Sequence, residues 1–212
     1  MPDKQSPDFS LFLDILHTLE AINAPYMIIG AFAAIMYGTT RTTYDIDIVV
    51  DLGEEHIAAL VAAYPPPRFY ADPEQMRDSI RMGIMFNIID TSLGDKADLV
   101  PLSMEIRYRF AFAHRIRRTI EMAGIAPFEV WCARREDVII GKLMAWAEGQ
   151  SRKHETDIYE MLVFHYLNAD PTQNMNLDED YIDAQATKLG KEVFDFWLSV
   201  KTAARAATEQ ML

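Results

Sequence analysis

The feature that most constrains this chain is the run "DIDIVVD", residues 45–51, in which carboxylates alternate with branched apolar side chains. A period of two predicts a β-strand, because successive strand side chains point to opposite faces. One predicted face is apolar, with Ile46, Ile48 and Val50. The opposite face carries Val49 and three carboxylates, Asp45, Asp47 and Asp51. Any fold that contains this strand must therefore hold two or more carboxylates side by side.

The first two aspartates of this strand have the spacing of a cation site. Asp45 and Asp47 share a face, ~7 Å apart along the backbone, and repel each other unless a positive group lies between them. Mg²⁺ fits, because it accepts one or two protein carboxylates and completes its shell with water and substrate phosphates. Two such ions ~3.5–4 Å apart stabilise the attacking and leaving oxygens of a phosphoryl displacement. The plainer interpretation is a pair of solvated aspartates on an edge strand.

The residues before the aspartate pair favour an anion site beside it. Gly30 closes a predicted strand, "YMIIG", and opens a short predicted helix, so its backbone can approach a phosphate closely. Arg41 comes shortly before Asp45, and its forked guanidinium suits an anion. A phosphate next to a metal-binding pair is the arrangement that phosphoryl chemistry needs.

Hydrophobic patterns divide the chain near residue 133. Before it, predicted helices alternate with strands, which lie at 26–30, 45–51, 84–90, 97–102, 116–122 and 126–131. After it, the pattern is helical over 135–149, 152–168, 178–189 and 191–210. The sequence therefore predicts an α+β core over residues 1–133 and a helical C-terminal region over residues 134–212.

Composition restricts the partners and the compartment. The net charge of −12 disfavours nucleic acid as a bulk partner, although an acidic chain can still carry a local basic groove. Cys132 is the single cysteine, so no internal disulfide forms, and the reduced cytoplasm is the simplest location. The first ten residues are polar and no run of ~18 apolar residues occurs, so neither a signal segment nor a membrane span is expected.

The first motif resembles that of a known enzyme superfamily. Gly30-Ala31 followed by "YGTTRTTYDIDIVV" is similar to nucleotidyltransferases of the DNA polymerase beta superfamily, above all to small bacterial members that include toxins of toxin–antitoxin systems. The resemblance implies a nucleotidyltransferase-like mixed β-sheet with flanking helices. It also implies Mg²⁺ (or Mn²⁺) at Asp45 and Asp47, and NTP phosphates at Gly30, Ala31 and Arg41. Ala31 departs from the usual Gly or Ser, so a side-chain hydroxyl contact to phosphate is missing.

The family pattern includes a third carboxylate on a later strand. Asp98 in "KADLVPL" fits best, because it follows the turn at Gly94 and points opposite Leu99. Asp90 is the rival. The resemblance implies that the third carboxylate completes the metal site and helps to activate the acceptor hydroxyl.

A second segment, "REDVIIGKLMAWAEGQSRKHETDIYEML", resembles the helical part of the same bacterial proteins. Lys142, Arg152 and Asp157 match its pattern, which implies nucleotide binding. Taken by itself, Lys142 borders an apolar helix face and either extends outward or points at a phosphate. Asp157 is either solvated or orients Lys142 or Arg152. We expect Lys142 and the three aspartates to face one cleft between the sheet and the C-terminal helices.

Basic residues concentrate in one stretch of this acidic chain, "IRYRFAFAHRIRRTI", which holds Arg107, Arg109, Arg115, Arg117 and Arg118. The functional interpretation is a surface for RNA, nucleotide or a partner protein. The structural interpretation is a solvated face that offsets nearby acidic groups.

Two classes of function follow from these motifs. The first is a Mg-dependent nucleotidyltransferase that moves a nucleoside monophosphate from an NTP to an unidentified acceptor, such as RNA, a protein or a small hydroxyl compound. The alternative is a catalytically weak or inactive member of the same fold that binds a nucleotide or a partner, as one half of a toxin–antitoxin-like pair. The distance from Asp98 to Asp45 and Asp47 discriminates between them.

Overall fold

The computed structural model describes residues 10–41, 43, 46–104, 106–121, 126–167 and 176–211. The chain divides into two compact units. The first comprises Met1–Phe32 and Thr42–Ala133, and the second comprises Ala33–Arg41 and Arg134–Leu212. The division at residues 133 and 134 falls where the sequence pattern changes, and a short early segment, 33–41, belongs to the second unit.

The elements of the two units are as follows. The strands, all in the first unit, are β1 (Tyr26–Ile29), β2 (Asp47–Val50), β3 (Phe69–Tyr70), β4 (Phe86–Asp90), β5 (Asp95–Pro101), β6 (Ile116–Ile120) and β7 (Phe128–Cys132). The helices of the first unit are α1 (Ser10–Ala21), α3 (Glu54–Ala63), α4 (Pro73–Met82) and α5 (Ile106–Ala113). Helix α2 (Gly30–Ile35) begins in the first unit and ends in the second. The second unit contains α6 (Arg135–Gly149), α7 (Arg152–Tyr166), α8 (Glu179–Leu189) and α9 (Lys191–Glu209).

The strands that the structure describes form one mixed sheet in the order β3-β4-β5-β2-β1-β7-β6. Strand β2 runs antiparallel to β1 and parallel to β5, which makes it an interior strand. Ile48, Val49 and Val50 are all buried. Val49, expected to share the carboxylate face, is buried because an interior strand is covered on both faces. Asp47, at the start of β2, stays partly exposed.

Helix α1 supplies part of the core of the first unit. Its buried stripe includes Phe12, Leu16 and Leu19, which recur at helical spacing, and the helix packs against β5 and α3. Each fully buried side chain of this size stabilises the fold by about 1.5–3 kcal/mol. This packing fixes β5 against the rest of the unit and so fixes the position of the residues that β5 carries.

The second unit is helical, as predicted. Its four long helices pack on one another around Leu143, Ile158 and Trp197, each of which is fully buried. The ring of Trp146 on α6 stacks on that of Phe196 on α9, with centroids 3.8 Å apart. In the part of the chain that the structure describes, no helix is both long and apolar enough to span a bilayer.

Candidate active site

Polar side chains form a row across three neighbouring strands of the sheet. Asp47 on β2 is the register partner of Asp98 on β5, and Asp98 is the register partner of Asn87 on β4. Register partners project from the same face, and neighbouring strands lie about 4.8 Å apart. The structure therefore brings the second aspartate of the Asp-x-Asp motif and the favoured third carboxylate side by side. Asp45 lies outside the described residues.

Gly30 leaves the space that the side chain of Asp47 occupies. It follows β1 with φ +68°, a left-handed conformation that favours glycine. A Cβ atom at this position would clash with the carboxylate of Asp47 and lie 3.0 Å from its Cγ. The glycine of the motif is thus required by close approach to the aspartate. Ala31 follows it in α2, a helix of only six residues.

Two donors hold the carboxylate of Asp98. The amide of Asn87 donates a hydrogen bond to Oδ1. The ammonium of Lys96 donates to both oxygens, with Nζ 3.0 Å from Oδ1 and 3.2 Å from Oδ2. Neither residue was predicted from the sequence to lie in the site. The period of two in β5 places Lys96 on the face of Asp98, whereas Asn87 reaches that face through the register of β4 with β5. Asp98 therefore has a largely buried carboxylate whose direction is fixed by its neighbours.

The oxygen donors of this row fit a hard divalent ion. Asp47 and Asp98 supply carboxylates as register partners on adjacent parallel strands, and each Mg²⁺ is usually bound through one or two such groups, with water and substrate phosphates as its other ligands. Among the described residues, no group of three or more His, Cys, Asp or Glu side chains is placed to hold a metal ion. The sequence-predicted set of three includes Asp45, which is not among those residues.

Asp90, the rival third carboxylate, has structural partners. Its side chain is 1% exposed; Oδ2 accepts from Arg68 Nη2 at 2.8 Å, and Oδ1 accepts from the backbone N–H of Ser92 at 2.9 Å. The hydroxyl of Ser92 also donates to it, and these bonds lower the pKa of Asp90 to about 2. Asp90 thus closes the turn between β4 and β5, and the register favours Asp98 as the partner of Asp47.

In the second unit, Asp157 binds two of the predicted nucleotide-binding cations. Arg41 forms a forked pair with it, Nε to Oδ1 at 2.6 Å and Nη2 to Oδ2 at 3.0 Å. Lys142 Nζ lies 2.5 Å from Oδ2. The carboxylate of Asp157 is wholly buried, so it contacts these cations and not solvent. Burial alone would raise the pKa of Asp157, but the hydrogen bonds from Arg41 and Lys142 outweigh it and the pKa lies below its usual range.

This arrangement identifies which residue Asp157 orients. The sequence left open Lys142 or Arg152, and the structure shows Lys142 together with Arg41. Arg152 is exposed at the first residue of α7. Thr40 ties the same loop to α7, because its N–H donates to Glu160 Oε2 at 2.7 Å. Arg41 is thus held at its guanidinium and through the residue before it.

Two arginines of the basic stretch are engaged inside the first unit. Arg117 Nη1 donates to Glu20 Oε1 at 2.6 Å, and Arg115 lies over the ring of Trp131, 4.8 Å from its centroid. These contacts offset an acidic group and cover an aromatic ring. For Arg115 and Arg117, the geometry agrees with the structural interpretation of the stretch.

A family model matches residues 25–192, and its description reads "Nucleotidyl transferase AbiEii toxin, Type IV TA system". The chain belongs to this family. The match spans both aspartate strands and most of the helical unit, so the resemblance inferred from the two motifs is confirmed. As a member of the AbiEii family, the protein is a nucleotidyltransferase of the toxin–antitoxin type. Among curated proteins, none matches the chain.

A solved structure of a nucleotidyltransferase-like protein shares the fold, and further solved structures are similar at lower TM-scores. An antigenic nucleotidyltransferase-like protein from Paracoccidioides brasiliensis is 17% identical, with a TM-score of 0.50 over 92% of this chain and 93% of that one. JHP933 from Helicobacter pylori is 14% identical, with a TM-score of 0.45 over 94% of this chain and 90% of that one. ANT(2")-Ia, solved with adenylyl-2"-tobramycin, is 17% identical, with a TM-score of 0.36 over 95% and 99%. The first of these supports the predicted α+β class with its mixed sheet.

Proposed function

We propose that this protein transfers a nucleoside monophosphate from an NTP to a hydroxyl acceptor, with Mg²⁺ (or Mn²⁺) held by Asp45, Asp47 and Asp98. The observation that carries the proposal is the register of β2 and β5, which sets Asp47 beside Asp98. Two carboxylates on one face of a sheet repel each other unless a cation joins them. The divalent ion, when bound, neutralises the triphosphate and the attacking oxygen.

The reaction exchanges one phosphoester bond for another. The acceptor oxygen forms a bond to the α-phosphorus, and the bond from that phosphorus to the bridging oxygen of the β-phosphate breaks, so pyrophosphate leaves. The proton of the acceptor hydroxyl passes to the carboxylate of Asp98, which acts as general base. Asn87 orients that carboxylate through its hydrogen bond. Asn87 is therefore a positioning residue in this proposal.

The phosphate-binding roles of Gly30, Ala31, Arg41, Lys142 and Arg152 are also part of the proposal. Support for Arg41 and Lys142 comes from the second unit, where a single buried carboxylate holds both cations. A preordered pair of cations binds a polyanion with less loss of side-chain entropy than two free ones. Asp157 acts through them as a positioning residue.

The acceptor and the protein partner belong to the same proposal. RNA, a protein hydroxyl and a small hydroxyl compound all remain candidate acceptors, because a fold does not select its substrate. Membership of a toxin–antitoxin family supports an antitoxin-like protein partner. The binding-only alternative has two reasons, Ala31 and an unsettled third carboxylate, and the register of Asp98 with Asp47 weakens the second.

Labelled nucleotides test the proposal. The protein is incubated with each α-labelled NTP, Mg²⁺ or Mn²⁺ and the separated RNA, protein and small-molecule fractions of a cell extract. We expect one fraction to take up label from the wild type and from Asp51→Asn, and none from Asp47→Asn or Asp98→Asn. Asp51 is a matched control, because it is an exposed aspartate directly after β2. Equal labelling by all four proteins would contradict the proposal.

A further inference from the structure

Lys96 makes a contact that the proposed reaction does not use. It lies two residues before Asp98 on β5, so both side chains project from one face. Its ammonium bridges the two carboxylate oxygens of Asp98, at 3.0 and 3.2 Å. The side chain of Lys96 is 48% exposed and that of Asp98 is 13% exposed. The charge that faces Asp98 is therefore carried by a long side chain with access to solvent.

An ammonium in this position and a metal ion at the same oxygens exclude each other. Both are positive, and both require the outer edge of the Asp98 carboxylate. Lysine is a point charge on a flexible stem with three rotatable donors, so it can leave without any change in the backbone. Asn87 is neutral and uses one oxygen only, so it can stay while a metal binds the other.

We propose that Lys96 is a resident counterion of Asp98, which competes with bare metal ions and is displaced when the metal arrives with an NTP. This inference rests on the proposed function, because it takes Asp98 as a metal ligand. A bare ion displaces the ammonium of Lys96 from Asp98 and brings no anion to replace that contact. A metal–triphosphate complex supplies phosphate oxygens as a new partner for the displaced ammonium. Lys96 is thus a positioning residue that favours the metal–nucleotide complex over the metal alone.

Mn²⁺ titration followed by electron paramagnetic resonance tests this without any assay of activity. We expect Lys96→Met to bind Mn²⁺ about fivefold more tightly than the wild type in the absence of nucleotide, the factor that corresponds to a partly exposed ion pair. Lys96→Arg keeps the charge and should bind Mn²⁺ as the wild type does. Lys191→Met is the matched control, because Lys191 also pairs with an aspartate, Asp195, at 2.5 Å in the second unit.

The same titration with a non-hydrolysable ATP analogue gives the second readout. Lys96→Met should gain no affinity for the Mn²⁺–nucleotide complex, so its preference for the complex over the bare ion should fall about fivefold. Lys96→Gln repeats the test should the methionine variant fold poorly.

The outcomes separate the two proposals. If Asp98→Asn weakens Mn²⁺ binding but Lys96→Met and Lys96→Gln leave it unchanged or weaker, the counterion role is wrong and the metal site stands. If Asp98→Asn leaves Mn²⁺ binding unchanged, the metal site itself is wrong and the counterion role fails with it.

Discussion

At the scale of single residues, three aspartates show how partners decide a role. Asp157 is wholly buried between two cations, and Asp90 is buried in the turn that it closes. The side chain of Asp98 keeps 13% of its surface exposed and is paired with a lysine that can leave. A carboxylate without access to solvent is a structural group. A carboxylate held by an exposed lysine keeps the capacity to exchange that partner for a metal.

Replacing Asp157 tests its role between Arg41 and Lys142. Asp157→Asn should lower the free energy of unfolding at pH 7 by roughly 2–4 kcal/mol, because it leaves a buried lysine and a partly buried arginine without their anion. The exposed Glu155→Gln, on the same helix, should change it little. Urea unfolding at pH 7 measures both variants.

The decrease in the free energy of unfolding caused by Asp157→Asn should also depend on pH. The folded pKa of Asp157 is depressed, so its stabilising contribution is present above the ordinary carboxyl pKa of about 4 and is lost as the pH falls through the folded value. The difference between wild type and variant should therefore shrink below pH ~4. A difference of the same size at pH 7 and pH 3 would show that the charge of Asp157 is not what stabilises the unit.

Two glycine substitutions separate backbone strain from the contact with Asp47. Gly30 and Gly94 both have positive φ, +68° and +79°, so alanine at either position costs about 1–2 kcal/mol. Nothing lies within 4 Å of a Cβ at Gly94, whereas a Cβ at Gly30 meets Asp47. Gly30→Ala should therefore lose clearly more stability than Gly94→Ala, and it alone should weaken Mn²⁺ binding. Calorimetry measures the stability of the two variants, and titration measures their Mn²⁺ affinity. Equal losses of stability and of Mn²⁺ affinity in the two variants would contradict the contact between Gly30 and Asp47.

At the scale of elements, the site depends on the strand order β4-β5-β2. Strand β5 carries Asp98 between Asp47 and Asn87, and the turn closed by Asp90 sets the register of β4 against β5. A slip of one residue in this register would turn Asn87 to the opposite face. The turn thus supports the site without contributing a ligand to it.

The two rival carboxylates should respond differently to the same substitution. Asp90→Asn should lower the melting temperature, because Arg68 loses its anionic partner, and should leave Mn²⁺ affinity within about twofold of wild type. Asp98→Asn should weaken Mn²⁺ binding with little loss of melting temperature. Thermal unfolding and Mn²⁺ titration of both variants test this prediction. Weaker Mn²⁺ binding by Asp90→Asn but not by Asp98→Asn would make Asp90 the third ligand.

At the scale of the whole molecule, the chain passes between its two units three times. Arg41 belongs to the second unit, and Asp47, a few residues later, belongs to the first. The two halves of the first sequence motif are therefore built into different hydrophobic cores.

Mg-NTP should stabilise the folded protein as a whole. A ligand at ~100 times its dissociation constant adds about 2.7 kcal/mol if it binds only the native state. For a chain of this size the melting temperature should rise by roughly 5–11 °C. NTP with EDTA should shift it little, because the carboxylates repel the triphosphate.

Asp47→Asn is the test of that shift. It removes one charge at nearly constant volume, so it should suppress the Mg-NTP shift, while Asp51→Asn should retain it. Without ligand, Asp47→Asn should melt no lower than wild type, because repulsion among the carboxylates is relieved. A shift of equal size in Asp47→Asn and wild type would mean that this aspartate is not part of the nucleotide–metal site.

The sequence by itself determined the fold class, the helical C-terminal unit and the family, since these depend on local periodicity and on motifs that are contiguous in the chain. Helix α4 was not predicted from the sequence, because few of its residues are apolar. Its ends are nevertheless marked in the sequence: Asp72 caps the helix, Pro73 is its first residue, and Gly83 ends it in a left-handed conformation. Helix α5 was not predicted either, because its arginines were interpreted as part of a basic surface.

Only the tertiary structure decided which residues share the site's polar contacts. Arg41 and Asp157 are 116 positions apart, and no local pattern relates them. Asn87 could be assigned to the face of Asp98 only once the pairing of β4 with β5 was known, because the period of a strand does not show which strand lies beside it. Local sequence determines the face of its own helix or strand on which a side chain lies. The packing of elements that are distant in the chain determines which residues that side chain contacts.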